Sequence, residues 1–175
     1  MASMAEAFDL VVIGGGSGGL AAAQRAAEYG ARTVLVESGR LGGTCVNVGC
    51  VPKKIMWNAA ELGAALEDAR DYGFDVTAGG HNFRSLKQQR DRYVARLNDL
   101  YAANLAKRGV ELVRGRAAFQ DARTVVVGGR PLTAPHIIVA TGGRSTVPRA
   151  PGARRGSGRG LHRRGAGRHL RGPGC

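Results

Sequence analysis

Cys45 and Cys50 lie five residues apart in the run Gly42-Gly-Thr-Cys-Val-Asn-Val-Gly-Cys-Val-Pro-Lys-Lys54. Glycine lets a backbone approach a bound group closely, and proline suits the first turn of a helix, here at Pro52. Thiols near a helix N-terminus, with Lys53 and Lys54 beside them, sit in positive potential that favours the thiolate. The run reads as a dithiol/disulfide pair presented to a cofactor. A zinc site would need two further ligands. His81, His136, His162 and His169 show no metal-binding spacing, so no metal is assigned.

A second set of residues could hold that cofactor. Gly14-x-Gly16-x-x-Gly19 follows the apolar run Phe8 to Ile13 and opens an Ala-rich, helix-forming stretch. In such a turn Gly14 permits the tight bend and Gly16 lets backbone approach a pyrophosphate. Gly19 allows helix and strand to pack closely. The pyrophosphate rests on the helix N-terminus, where free N–H groups and the helix dipole attract anions. Glu37 lies 18 residues beyond Gly19, at the end of a second apolar strand, where a carboxylate can accept bonds from a ribose diol. An acid there opposes a 2′-phosphate, so FAD or NAD fits better than NADP.

The elements that must position these residues follow from patterning. Phe8–Ile13 and Thr33–Val36 read as buried parallel strands around a helix over Leu20–Glu28, a mononucleotide-binding unit. Ile55, Ala59, Leu62 and Leu66 recur at helical spacing, so a helix is expected from Pro52 to Ala69. Asp71 to Asn82 reads as a loop. Ser85 is expected to cap a second long helix with Val94, Leu97, Tyr101 and Leu105 on one stripe. Val110–Arg114, Thr124–Val127 and His136–Ala140 read as further strands, the middle one followed by the turn signal Gly128-Gly129.

The 175 residues suffice for one domain with a core. The net charge is +13, but seven arginines and no acid lie from Arg154 onward, leaving +6 on residues 1–153. No apolar run is long enough to span a membrane, and no export signal is seen. Three cysteines are too few for a secreted disulfide scaffold, so a cytoplasmic location is expected.

Residues 8 to about 153 resemble the N-terminal FAD-binding portion of the pyridine-nucleotide disulfide oxidoreductases. The glycine fingerprint, the two-cysteine run and Ala140-Thr141-Gly142 carry the likeness. Lipoamide dehydrogenases and mercuric reductases of this family usually carry Ser where this chain has Lys53. Pro52-Lys53-Lys54, Met56-Trp57-Asn58, Asp71-Tyr72-Gly73-Phe74 and Tyr93 to Leu105 look like the glutathione reductase branch, with large thioredoxin reductases the nearest rival. The resemblance implies an α/β, Rossmann-like FAD-binding domain over residues 1–153: a parallel sheet, flanking helices and a small antiparallel β-meander, incomplete as a domain.

It also implies roles. Cys45 would be the interchange thiol that attacks glutathione disulfide, and Cys50 would lie against the flavin and resolve the mixed disulfide. Lys53 would approach the reactive flavin nitrogen and tune it by charge. Gly14, Gly16, Ser17, Gly18, Gly19, Glu37, Gly43, Thr44, Thr141 and Gly142 would hold FAD, with a backbone contact at Ala117. Tyr101 would touch glutathione, with packing on its helix stripe as the alternative. Gln24 stands where some relatives carry arginine.

The likeness ends near Arg154. Family members continue into an NADPH domain and an interface domain and act as homodimers. No second glycine fingerprint follows, and no His-Pro dipeptide offers the general base that the partner subunit contributes. The chain alone is therefore expected not to turn over. Residues 154–175 hold seven Arg, seven Gly and only Leu161 and Leu170 as large apolar residues. They read as a disordered tail, best explained by a frameshift. An Arg/Gly-rich nucleic-acid-binding extension is the alternative, but it lacks the aromatic stacking partners such segments use. A non-catalytic flavin-binding module would keep the glycine turn and Glu37, yet leave the cysteine run without purpose.

Overall fold

The computed structural model describes residues 5–77 and 79–146. In chain order these form β1 (Glu6–Ala7), β2 (Leu10–Ile13), α1 (Ser17–Glu28), β3 (Thr33–Glu37), α2 (Gly43–Val48) and α3 (Cys50–Asp68). After a 3-10 turn at Ala69–Tyr72 come α4 (Phe83–Lys107), β4 (Glu111–Arg114), β5 (Ala117–Phe119), β6 (Thr124–Val127), β7 (Arg130–Thr133) and β8 (His136–Val139). The four strands β4-β3-β2-β8 make one sheet in that order, and every pairing in it is parallel. A second sheet, β1-β7-β6-β5, is the expected antiparallel meander with β1 added in parallel.

Alternation along β2 and β3 divides the core. Leu10, Val12 and Leu35 face Leu20 and Ala23 of α1 and Leu105 of α4. Val11, Ile13, Val34 and Val36 face Val125, Val127 and Leu132 of the meander. Successive strand residues point to opposite faces, so a fully apolar run such as Leu10-Val-Val-Ile13 is what a sheet covered on both sides requires. Gly128 and Gly129, both at positive φ, turn β6 into β7 and fix the register Val127↔Arg130. Arg130 of β7 pairs with Glu6 of β1 and Glu111 of β4, joining the two sheets at an exposed edge.

Three expectations change. The run ahead of the helix expected from Pro52 is itself largely helical: Cys45 lies within α2, and α3 begins at Cys50, with only Gly49 between the two helices. The first strand is split, with Phe8 buried between β1 and β2. Asn82, not Ser85, caps α4: its side-chain oxygen accepts from the Ser85 N–H at 2.9 Å, the bond an N-cap residue makes to the third helical residue. The stripe on α4 holds, with Val94 and Leu105 buried. On α3 no residue is buried, and Trp57 and Leu62 are more than half exposed.

One compact unit runs to Gly143. The boundary at residue 153, the tail at 154–175, His162, His169 and Cys175 all lie outside the described residues. Among the described residues, no helix is long and apolar enough to cross a membrane.

Candidate functional site

Strands β2, β3, β4 and β8 run parallel and end at Ile13, Glu37, Arg114 and Val139. Ligands of open α/β sheets bind outside such carboxyl ends, and here two adjoining cavities lie there. One, of about 410 Å³, is lined by Gly14, Glu37, Ser38, Gly115, Arg116 and Ala117. The other, of about 550 Å³, is lined by Gly16, Ser17, Gly18, Thr44, Cys45 and Cys50, among others. Both share Gly14, Glu37 and Thr141, so they form one groove.

The glycine turn is shaped by contacts that exclude side chains. Gly14 has φ of +108°, and a Cβ there would lie 2.3 Å from the Ala140 carbonyl oxygen. A Cβ on Gly19 would lie 1.8 Å from the Gly14 oxygen, so the third glycine serves the packing of α1 on β2. The Cβ position of Gly16 meets only Gly43 Cα, at 3.8 Å, leaving open space along the groove. Gly16 and no side chain caps α1. Its first N–H groups are therefore available to an anion.

Glu37 is bound at both oxygens. Its Oε2 accepts from the Gly15 N–H and its Oε1 from the Gly39 N–H, each at 2.6 Å. The carboxylate thus links the end of β3 to the glycine turn and still has lone pairs for a ligand hydroxyl.

The cysteine segment docks on the same turn. The Gly42 N–H donates to the Gly15 oxygen at 2.8 Å, and a Cβ on Gly43 would lie 2.8 Å from Gly16 Cα. This contact brings the two sequence motifs to one place. Gly49 permits the α2–α3 junction, where a Cβ would meet the Thr44 oxygen at 2.9 Å. Cys45 is half-buried, Cys50 is exposed, and both are free thiols.

Positive potential was expected to favour the Cys45 thiolate, but the Cys45 thiol is instead pushed up. Its hydrogen bond to the Cys50 side chain is the main cause, followed by burial and the negative charge of an ionised Cys50. A raised value keeps Cys45 protonated further into the alkaline range and slows its alkylation at pH 8, since the thiolate is the nucleophile. Cys50→Ala removes that hydrogen bond and charge. The Cys45 pKa should then fall and its iodoacetamide rate at pH 8 rise about threefold or more. Mass-spectrometric rate measurements on the reduced chain check this, and an unchanged rate contradicts the coupling.

Gly14, Gly16, Ser17, Gly18, Glu37, Gly43, Thr44, Cys45, Cys50, Ala117, Thr141 and Gly142 all line the groove. Gly19 supports it from the α1–β2 contact. Lys53 sits one turn along α3 from Cys50 and is exposed, outside the groove lining. Tyr101 packs on the core cluster beneath α1 and α4, also outside it. Sequence reasoning missed Arg40, Ser38, Gly115 and Arg116. Gly115, at the end of β4 with φ of +152°, was the readable signal. Among the described residues, no group of three or more His, Cys, Asp or Glu is placed to hold a metal.

A parallel sheet with a nucleotide-type groove at its carboxyl ends and a thiol pair in that groove defines a dinucleotide-linked disulfide oxidoreductase fold. The chain belongs to the pyridine nucleotide-disulphide oxidoreductase family, whose model matches residues 8–171. It is 49% identical over 163 residues to a glutathione reductase of Yarrowia lipolytica, covering 85% of this chain and 35% of that protein. A glutathione reductase of Schizosaccharomyces pombe is 47% identical over 165 residues, covering 89% and 36%. One from Nostoc sp. is 48% identical over 145 residues, covering 83% and 32%. The chain therefore spans about a third of the length of the curated relatives it matches.

Proposed function

We propose that this chain is the N-terminal, FAD-binding part of a flavoprotein disulfide reductase that reduces glutathione disulfide with NADPH. The observation that carries the reading is the meeting of Cys45 and Cys50 with the Gly14–Gly19 turn and Glu37 in one groove. That groove fits the cofactor chemically. Glu37 and the backbone of Ala117 suit the adenosine end, the bare α1 N-terminus suits the pyrophosphate, and Thr44, Thr141 and Gly142 adjoin the cysteines. Bound there, FAD would relay an electron pair from NADPH to the Cys45–Cys50 disulfide.

The chain's own residues then perform thiol exchange. A Cys45 thiolate attacks one sulfur of glutathione disulfide, displacing one glutathione and forming a mixed disulfide. Cys50 attacks the Cys45 sulfur, releasing the second glutathione and leaving the Cys45–Cys50 disulfide. In this reading Lys53 acts on the flavin by charge and Tyr101 contacts glutathione. The whole protein is a cytoplasmic homodimer that supplies the NADPH site and the proton donor. The 175-residue chain alone is inactive.

The test is a visible spectrum of the chain loaded with FAD and partly reduced. A long-wavelength shoulder, lost in Cys50→Ser, is expected from a thiolate beside the ring. Bound flavin with no shoulder, and with affinity unchanged in Cys50→Ser, points instead to a non-catalytic flavin-binding module.

A further inference from the structure

The helix that carries Cys45 has six residues, too few to hold a position by itself. It lies between Gly42, at φ of +94°, and Gly49, and neither provides a side-chain cap. Its placement must come from tertiary contacts. One of these is a set of amide hydrogen bonds on the side away from the groove. Asn47 lies two residues beyond Cys45, about 200° around the helix, so an anchor at Asn47 leaves the thiol facing the groove.

Asn47 Nδ2 donates to the carbonyls of Leu41 at 3.0 Å and Gly43 at 2.9 Å. Asn98 of α4 donates through Nδ2 to the same Leu41 carbonyl at 2.8 Å and to Asn47 Oδ1 at 3.1 Å. Two donors thus fill the Leu41 carbonyl, and Asn47 uses both amide hydrogens and its oxygen. The amide orientations follow from the carbonyls they face. Leu41 itself is fully buried, which gives the anchor a rigid base. Apart from the Cys45–Cys50 contact itself, the Asn98–Asn47 bond is, among the described residues, the side-chain hydrogen bond that reaches α2 from another helix.

We infer that Asn98 is a positioning residue for the Cys45–Cys50 pair, fixing through Asn47 and the Leu41 carbonyl the helix that sets the distance between the two sulfurs. The inference rests on the redox reading of that pair. Closing a disulfide joins the sulfurs within a narrow geometry. A helix free to shift lowers the effective concentration of one thiol at the other and moves the equilibrium toward the dithiol.

The experiment uses the full chain with Cys175→Ser, equilibrated with mixtures of reduced and oxidised dithiothreitol. One Cys45–Cys50 disulfide and one reduced dithiothreitol give two protein thiols and one oxidised dithiothreitol, so electrons and protons balance. Asn98→Ala is expected to shift this equilibrium about tenfold toward the dithiol, about 30 mV for a two-electron couple. Asn47→Ala should do the same, and the double variant no more than either, because the two act as one unit. Asn98→Ser, which keeps one donor, should shift it about threefold and serves if the alanine variant does not fold. A lowered melting temperature with the equilibrium within twofold of the parent in both Asn98 variants overturns the positioning role. A parent chain that forms no Cys45–Cys50 disulfide in excess oxidised dithiothreitol refutes the redox reading, and this inference with it.

Discussion

Gly19→Ala is expected to lower the melting temperature of the chain by about 10 °C, while Gly18→Ala, one residue away in the same helix turn, leaves it unchanged or slightly raised. The two glycines occupy the second and third positions of α1, so their helix propensities are alike. What differs is space. A Cβ on Gly18 meets nothing within 4 Å, whereas one on Gly19 falls 1.8 Å from the Gly14 carbonyl oxygen and 3.3 Å from Val12. The obstructing atom is backbone, in a turn that Ala140 and Val36 also hold in place. No rotamer change relieves the clash: either α1 lifts from β2 or the turn opens. Overpacking of this kind costs about 3 kcal/mol, and at this chain length each kcal/mol is worth about 2–4 °C. Circular dichroism melts of the two variants side by side give the answer. Equal melting temperatures contradict the close packing assigned to Gly19.

The same glycines explain what was legible beforehand. Gly14, Gly16 and Gly19 are needed for reasons of backbone geometry, and a motif of that kind survives in one dimension. The apolar runs Leu10–Ile13 of β2 and Val34–Val36 of β3 were legible for a similar reason, since burial on both faces leaves no other composition. The helix around Cys45 was not legible. Gly-Gly-Thr-Cys-Val-Asn-Val carries weak helix formers, and α2 owes its existence to docking on Gly16, Leu41 and Asn98, the last bonded to Asn47 from 51 residues away. The raised Cys45 pKa was missed for the same reason: lysines nearby in sequence predicted a positive field, but it is the Cys50 side chain that shifts Cys45. The roles given to Lys53 and Tyr101 come from a resemblance and not from their patterning; in the structure Lys53 is exposed and Tyr101 packs on the core, both outside the groove lining. The stripe Ile55, Ala59, Leu62 and Leu66 did mark a helix. Yet periodicity says only that a face is apolar, and none of α3 is buried here.

Glu37→Ala is expected to weaken FAD binding about 100-fold, with a smaller loss, about tenfold, for Glu37→Gln. Two effects combine in the alanine variant. The N–H groups of Gly15 and Gly39 lose acceptors that they hold at 2.6 Å, which frees the glycine turn before any ligand arrives. The groove also loses the carboxylate that would accept the ribose hydroxyls. Hydrogen bonds to a charged group are worth about 1.5–3 kcal/mol each, and about 2.7 kcal/mol corresponds to 100-fold in affinity. Glutamine keeps one acceptor oxygen but turns its amide hydrogens toward one of the two N–H donors, so one link survives and the charge is lost. Fluorescence titration of FAD into the parent and both variants measures the ranking directly. Should all three bind equally, the groove at the end of β3 is not where the adenosine half sits. If instead the alanine variant alone loses affinity and glutamine matches the parent, the carboxylate's charge is irrelevant. Glu37 then serves only to hold the turn.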